Sequence, residues 1–372
     1  MRVISGPAAP ARAGGPCGEA GFSLVESLVA MVLMLVVTGA VFGLVNPDTT
    51  VSRAQPEAMD MQQRARVASD VLFRDLFMAG AGIYAGPQTG ALTNFFAPII
   101  PRRMGKSGAD NYTVVRPDAV TIAYIPNTYS QTTIRQDMPL PSSELKVNDM
   151  PNCPKGEQLC GFKEGMTVLI FDPEGHFDFF TITEVQDDAG HLQLYQQDLS
   201  YAYQVGAFIT QAESHTYYFD AVNHQLRHYD GYLTDVPIVD NVVGVSFEYW
   251  GDPNPPLKPK PPAGVANCLY DDTGTLLPGM TVLTPQGGSL APLPLSMLND
   301  GPWCGNGNNR FDADLLRVKQ VRVTLRVEAE SKSLRGTSAA FADAGTSSSA
   351  LRYLPDFSVR FEVSPRNMNL GR

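Results

Sequence analysis

The hydrophobic pattern is dominated by one continuous apolar run near the amino terminus, residues 22–45. Glu26 is the only ionisable side chain within this run. A helix rises about 1.5 Å per residue, so the run extends roughly 36 Å as a helix, whereas the hydrocarbon core of a bilayer measures about 30 Å. Residues 22–45 therefore predict a transmembrane helix.

A second helical pattern follows over residues 46–80. Apolar residues recur there at spacings of three and four, which is the period of an amphipathic helix. Asn46-Pro47-Asp48 predicts a kink or an interruption where the helix leaves the bilayer, because proline cannot donate a backbone hydrogen bond. We expect this segment to continue the amino-terminal helix and to pack its apolar stripe against the rest of the protein. The stripe consists of Met61, Ala65, Ala68, Leu72, Leu76 and Ala79.

From residue 90 onward the pattern changes to an alternation with a period of two, which is typical of β-strands. One long helix followed by many short strands predicts an α+β fold. In this fold the amino-terminal helix packs on a mostly antiparallel, β-rich head that spans residues 81–372. The predicted strands are Val120–Ile125, Met166–Phe171, Phe177–Ile182, His191–Tyr195, Thr216–Phe219, Leu226–Tyr229, Val242–Tyr249, Val318–Val327 and Phe357–Val363.

Residues 251–313 interrupt the strand pattern and are rich in Gly, Pro and Asn. The stretch 254–262 is polyproline-like, and such a stretch can be a ligand for small recognition domains or a stiff loop. The stiff loop is the commoner case and is the interpretation adopted. Residues 251–313 are therefore predicted to be a Pro/Gly-rich insertion in the head.

The transmembrane run follows a polar leader, residues 1–21, which is rich in Gly, Ala and Pro and carries Arg2 and Arg12. An ordinary secretory signal places its apolar stretch before a small-residue cleavage site. Here the small residue, Gly21, precedes the apolar stretch. Cleavage after Gly21 would leave the helix on the mature protein.

Transfer of the Glu26 carboxylate into hydrocarbon is unfavourable in free energy, and a carboxylate in such a position usually has a function and a partner. Two interpretations remain open from the residues alone. Glu26 can extend toward the headgroups from the end of the helix. Alternatively, it can pair with a free amine on Phe22, of its own chain or of a neighbouring chain.

The hexapeptide Gly21-Phe22-Ser23-Leu24-Val25-Glu26, followed by an apolar helix, resembles the class III signal of type IV pilins and pseudopilins. The resemblance implies that a prepilin peptidase cleaves between Gly21 and Phe22 and methylates the new amino terminus of Phe22. It further implies that the retained helix packs into the core of a filament, with Glu26 taking part in subunit assembly.

Within that family the chain is most similar to the PilW-like minor pilins. This similarity rests on the strand Val318–Val327, on the preceding Phe311-Asp-Ala-Asp-Leu-Leu, and on the ending Val363-Ser-Pro-Arg-Asn-Met-Asn-Leu370. The partners it implies are other minor and major pilins, contacted through the amino-terminal helix. It also implies residence in the inner membrane with the head in the periplasm, and later in a pilus or pseudopilus.

Composition adds two constraints. The net charge is −10, and no sustained Lys/Arg patch occurs, so nothing supports a nucleic-acid partner. Of the five cysteines, Cys17 lies in the leader and would be lost on processing. The four that remain are an even number, as expected for disulfide pairing in an oxidising compartment. Of the three possible connectivities, we expect the one that consists of two local pairs. These are Cys153–Cys160 and Cys268–Cys304.

No constellation for catalysis or metal binding emerges from the sequence. Gly-x-Ser-x-Gly, phosphate-loop and His-Glu-x-x-His motifs are absent. His224 and His228 fall in a predicted hairpin, where four residues span about 13 Å, and the other three histidines have no acidic partner at a motif spacing. Residues 306–314 loosely resemble a calcium loop but lack its spaced Gly and closing Glu, so a turn leading into a strand is favoured. We therefore expect no enzyme activity, no cofactor and no metal.

The sequence thus favours a structural protein, a minor pilin that takes part in the assembly or initiation of a type IV pilus-like filament. Two alternatives remain. A J-type pseudopilin of a type II secretion system carries the same signal, and a membrane-anchored adhesin or binding protein would use the head to recognise a ligand.

Overall fold

The structure, a computed structural model, describes residues 21–82, 96–105, 107–126, 130–150, 153–172, 174, 176–194, 199–286, 288–337, 340–347 and 353–369. For residues 45–53 it describes the backbone alone. The predicted leader, except Gly21, lies outside the described residues. The chain forms two compact units, Met1–Gln55 and Pro56–Arg372, and the second is called the head unit below.

The first element is a single long helix, α1, over Leu24–Met78. The predicted interruption at Asn46-Pro47 is not observed, because the backbone remains helical through both residues. A proline inside a helix removes one hydrogen bond and crowds the carbonyl four residues earlier, at a cost of about 3 kcal/mol, but the remaining ladder can persist.

The carboxyl-terminal part of α1 belongs to the head unit and carries its predicted apolar stripe. All six stripe residues, from Met61 to Ala79, are buried there, so the prediction from the spacing of three and four is confirmed. The helix ends just before Gly80, whose φ of 71° lies in the left-handed region that favours glycine. The Gly80 N–H then donates to the carbonyl of Ala123 on a neighbouring strand.

Strands make up most of the remaining regular structure in the head unit, together with short 3₁₀ helices. Within the described residues they are β1 (Ile99–Ile100), β2 (Ala119–Tyr124), β3 (Gln131–Thr133), β4 (Glu144–Lys146), β5 (Thr167–Phe171), β6 (Phe177–Gln186), β7 (His191–Leu194), β8 (Phe208–Gln211), β9 (Glu213–Asp220), β10 (Gln225–Tyr229), β11 (Asp235–Asp240), β12 (Val242–Gly251), β13 (Ala291–Leu293), β14 (Trp303–Cys304), β15 (Phe311–Asp312), β16 (Val318–Val327) and β17 (Phe357–Val363).

The strands form antiparallel sheets, which confirms the predicted α+β class. One sheet has the order β1-β2-β9-β10-β11, a second has the order β13-β12-β16-β17, and β14 pairs with β15. The head-unit part of α1 and the first two sheets share one hydrophobic core, in which Leu72, Tyr217 and Val323 are fully or almost fully buried. Burial of these alternating faces against the helix stripe stabilises the arrangement.

The remaining six strands form a small barrel around a second core. Their order is β3-β8-β5-β6-β7-β4, and backbone hydrogen bonds from Arg135 to Lys146 and from Asn148 to Thr133 join the two outer strands. Closure leaves neither of these strands as a free edge. The interior is filled by apolar residues that include Ile134, Leu145, Val168, Ile170, Phe180, Ile182, Leu192 and Ile209.

The predicted insertion, residues 251–313, contributes to the main core. It contains β13, β14 and β15, and its residues Leu269, Leu293 and Phe311 are buried with the residues of the two large sheets. A segment read from composition as a loop therefore carries buried apolar side chains, because short alternating pieces lie between its prolines and glycines.

Candidate functional site

The amino terminus of α1 forms a capping box. The Ser23 hydroxyl oxygen accepts the Val25 N–H at 3.2 Å, and Glu26 Oε2 accepts the Ser23 N–H at 3.0 Å. This reciprocal pattern satisfies backbone donors that a helix terminus otherwise leaves free. Glu26 also places its negative charge at the positive end of the helix dipole. The helix therefore partly compensates the charge that the sequence places in its first turn.

Glu26 retains capacity for another partner. Its Oε1 makes no hydrogen bond to any described residue, whereas Oε2 is engaged in the cap. The Phe22 nitrogen, four residues earlier, would become a charged amine if the chain were cut after Gly21. Capping and pairing with an amine are therefore compatible uses of the same carboxylate.

The apolar surface of the first part of α1 is uncovered. Large apolar side chains from Phe22 to Leu44 are 51% to 88% exposed. Leu24–Leu44 is long and apolar enough to cross a membrane, a judgement from length and composition alone. An exposed apolar surface of this extent requires a membrane or other protein surfaces to cover it.

Three glycines of this segment are not required by the chain's own packing. A Cβ added at Gly21, Gly39 or Gly43 would meet no described atom within 4 Å. Helix-interior glycine is about 1 kcal/mol less favourable than alanine, so Gly39 and Gly43 weaken α1, and no contact with the described residues compensates for this. Their spacing is that of small residues that let membrane helices approach closely. This signal and the Ser-x-x-Glu cap were both readable in the sequence but were missed.

The same stretch is recognised by comparison with known families. Residues 17–42 match the prokaryotic N-terminal methylation motif, and this match spans the capped, exposed helix start described above. No curated protein matches the chain. The match supports a type IV pilin-like protein. Its motif implies processing by prepilin peptidase, anchoring in a membrane before assembly, and assembly with other pilins.

The predicted processing site of this pilin-like chain lies on exposed residues. Gly21 is exposed, and Phe22 is 88% exposed. A Cβ at position 21 would meet no described atom within 4 Å, so the reason to expect glycine there is the processing motif and not the packing of the described residues. Cleavage at this bond and methylation of Phe22 remain predictions.

The structure contains two disulfides, and each joins two cysteines that follow one another in the sequence. Cys153–Cys160 closes a short loop between β4 and β5, beside the barrel. Cys268–Cys304 links two parts of the insertion 251–313. Both lie in the head unit.

The segment 306–314, considered above for calcium, forms a turn that leads into strands. The Asn306 side chain caps a short helical turn, and β15 and a second helical turn follow before β16. Asp312 accepts the N–H groups of Gly301 and Asp314, and burial raises the pKa of Asp312 to about 6. The acidic side chains here are engaged inside the protein.

Three clusters bring carboxylate or imidazole atoms within 4.8 Å of one another. In each cluster a carboxylate has an intramolecular partner. Asp172 pairs with His176, Glu328 with Arg335, and Asp314 with Arg317. The clusters are Asp172/Glu174/His176, His224/Glu328/Asp343 and Asp300/Asp312/Asp314.

The sequence interpretation of the histidines is partly wrong. The predicted hairpin around His224 is observed as β9 and β10, but His215 and His228 are in contact across it, with Nδ1 2.7 Å from Nε2. Burial lowers the pKa of His228, and the hydrogen bond to Asp172 raises the pKa of His176. His215 and His228 meet because of the strand register, and His176 meets Asp172 in a tight turn. Motif spacing encodes neither contact.

Proposed function

We propose that this pilin-like protein is a minor pilin, a structural subunit that helps to initiate or assemble a type IV pilus-like filament and catalyses no reaction. The observation that carries the proposal is the exposed apolar helix whose first turn holds one carboxylate directly after a processing motif. The size of the head unit, Pro56–Arg372, adds support, because a major pilin is generally compact.

In this proposal the helix acts in three steps. Prepilin peptidase removes the leader after Gly21, which converts the Phe22 nitrogen into a charged amine. The apolar faces of neighbouring helices then cover one another as subunits leave the membrane. Glu26 pairs with an amine at the end of a neighbouring helix, and this pair determines the axial register, because an unpaired buried charge is strongly penalised.

The proposed location is the inner membrane with the head in the periplasm, followed by the filament. Two disulfides in the head unit support an oxidising compartment for that part of the chain. The glycines at 39 and 43 support close helix approach, since they leave a groove that no described side chain of this protein fills.

The capping box makes a sharp test of the role of Glu26. Glu26→Gln keeps an acceptor for the Ser23 N–H, because glutamine also serves in a capping box, but it removes the charge. Glu26→Ala removes both. If assembly depends on the charge pair, both variants should be cleaved normally and fail to enter filaments.

The measurement is the fraction of mature protein in sheared filaments, with inner-membrane protein as the reference. Ser23→Ala is the matched control, because it weakens the cap by about 1 kcal/mol and retains the charge. Normal assembly of Glu26→Gln beside failure of Glu26→Ala would show that capping alone matters, and would overturn the pairing mechanism.

The J-type pseudopilin of a type II secretion system remains an alternative to the minor pilin. The two share the same processing segment, so variants of Glu26 cannot separate them. Copurification does: a minor pilin should be recovered with pilus subunits, and a pseudopilin with secretion pseudopilins. A binding role for the head is favoured by one further observation, a cavity described next.

A further inference from the structure

The head unit contains a cavity of about 330 Å³ between the five-stranded sheet and the barrel. One wall is formed by Thr121 and Ala123 of β2 and Ser214 of β9, and the other by β5 and β6. Small-molecule sites generally measure about 300–1,000 Å³ and favour such clefts between substructures. The size and position of this cavity are those of a ligand site.

Five neutral polar side chains line the cavity and have no partner in the described chain. They are hydroxyls and amides, and none of them makes a side-chain hydrogen bond to a described residue. Each of these groups can both donate and accept a hydrogen bond. The five are Thr167, Thr181, Ser214, Asn308 and Asn309.

The charged groups of the cavity are already engaged. The Asp110 carboxylate contacts Arg116 at 3.2 Å and accepts the Arg103 N–H at 2.9 Å. Asp230 Oδ1 accepts three successive backbone N–H groups within its own turn. No Lys, Arg or His occurs among the described lining residues. The lining therefore offers no cationic group to select an anion, and neither of its two carboxylates is without a partner.

Aromatic rings supply an apolar surface beside these polar groups. Phe96 and Phe179 both line the cavity, with ring centroids 5.2 Å apart and planes tilted by 37°. Thr181 lies two residues after Phe179 on the same face of β6, opposite Thr167 on β5. An aromatic surface thus adjoins a paired set of hydroxyls.

We propose that this cavity binds a neutral saccharide unit. A pyranose ring has an apolar C–H face, which packs on an aromatic ring, and a rim of hydroxyls that donate and accept. The five side chains without a partner in the described chain can form hydrogen bonds with that rim. Because the cavity has no charged group without a partner, it has nothing that would strongly favour a sugar acid or an amino sugar. A lipid tail fits poorly, because it would bury these polar groups without partners.

The test uses the full chain in phospholipid nanodiscs, since glucoside and maltoside detergents carry saccharide headgroups that would compete. The probes are the methyl glycosides of glucose, galactose, mannose and N-acetylglucosamine, measured by saturation-transfer NMR and calorimetry. We expect millimolar or tighter binding of at least one of them, and about tenfold weaker binding of glucuronate and glucosamine.

Thr181→Val is the informative variant, because it replaces a hydroxyl with a methyl group of similar size. Binding should weaken about tenfold, which corresponds to the loss of one hydrogen bond. Thr324→Val makes the same change on β16, outside the cavity, and should bind like the unmodified protein. Binding that Thr181→Val leaves unchanged would place the sugar elsewhere and overturn the proposal. So would failure of all four glycosides to bind, or equal binding of nucleosides.

Discussion

Replacement of Arg317 tests how the insertion 251–313 is held in the head unit. The side chain of Arg317 is 0% exposed and lies 2.8 Å from Asp314, whose side chain is 2% exposed. Its other donors reach backbone carbonyls at the start and in the middle of the insertion. These are Asp252 at 2.9 Å, Thr281 at 3.1 Å and Pro253.

Arg317→Met keeps most of the aliphatic length and removes every one of these donors. It leaves the Asp314 carboxylate buried without a counter-charge, and three backbone carbonyls lose the donors of Arg317. Removal of one member of a buried ion pair costs about 3–5 kcal/mol, against a total free energy of unfolding of roughly 5–15 kcal/mol for a domain. We expect Arg317→Met to lower the free energy of unfolding by about 4 kcal/mol.

Arg322→Met provides the matched control on the following strand, β16. Arg322 is partly exposed and pairs with Glu248 and Glu362, which are themselves 49% and 44% exposed. Exposed pairs contribute about 0–1 kcal/mol. The same chemical change five residues away should therefore have a small effect.

The assay is urea unfolding in a neutral micelle, followed by tryptophan fluorescence and by far-ultraviolet circular dichroism. The two tryptophans of the chain, Trp250 and Trp303, lie on β12 and within the insertion, so fluorescence reports on this region. Adding Asp314→Asn to Arg317→Met should recover about 1–3 kcal/mol, because it removes the unpaired charge. A loss below 1 kcal/mol for Arg317→Met, equal to that of Arg322→Met, would refute the reasoning.

Three further predictions concern processing, the disulfides and pH. Gly21→Trp should accumulate as uncleaved precursor on immunoblots, and normal cleavage would remove the main support for the processing site. Non-reducing peptide mapping should recover Cys153–Cys160 and Cys268–Cys304. The loop-closure entropy of these disulfides corresponds to roughly 2.5 and 4 kcal/mol. A peptide that joins a cysteine of one pair to a cysteine of the other would contradict this pairing. Because the folded pKa of Asp312, about 6, exceeds its unfolded value, the free energy of unfolding should fall by about 2 kcal/mol between pH 4 and pH 6. Asp312→Asn should flatten this slope, and an unchanged slope would exclude Asp312 as its source.

Several features follow from the sequence because their signals are local. The apolar run, the Ser-x-x-Glu cap and the buried stripe from Met61 to Ala79 each depend on residues three or four apart along one helix. Strand β16 begins and ends where its alternation does, Val318–Val327. These elements could be read without knowledge of their neighbours.

Weak local signals explain what was missed among the strands. β8 has only four residues, and β11 contains Pro237 within its six. Both are strands because other strands lie beside them. β8 pairs with β5 and β3, and β11 pairs with β10. Their backbone groups gain hydrogen bonds that no property of the short segments themselves could have indicated.

Tertiary structure alone decided the contacts that join distant parts of the chain. The barrel closes because Arg135 and Asn148 meet the opposite edge strand, and Arg317 is buried because three separate carbonyls converge on it. The cavity exists because the barrel and the five-stranded sheet face each other without filling the space between Ser214 and Thr181. Periodicity specifies which face of each element is apolar, whereas strand partners, register and the gaps between sheets arise only when elements far apart in sequence pack together.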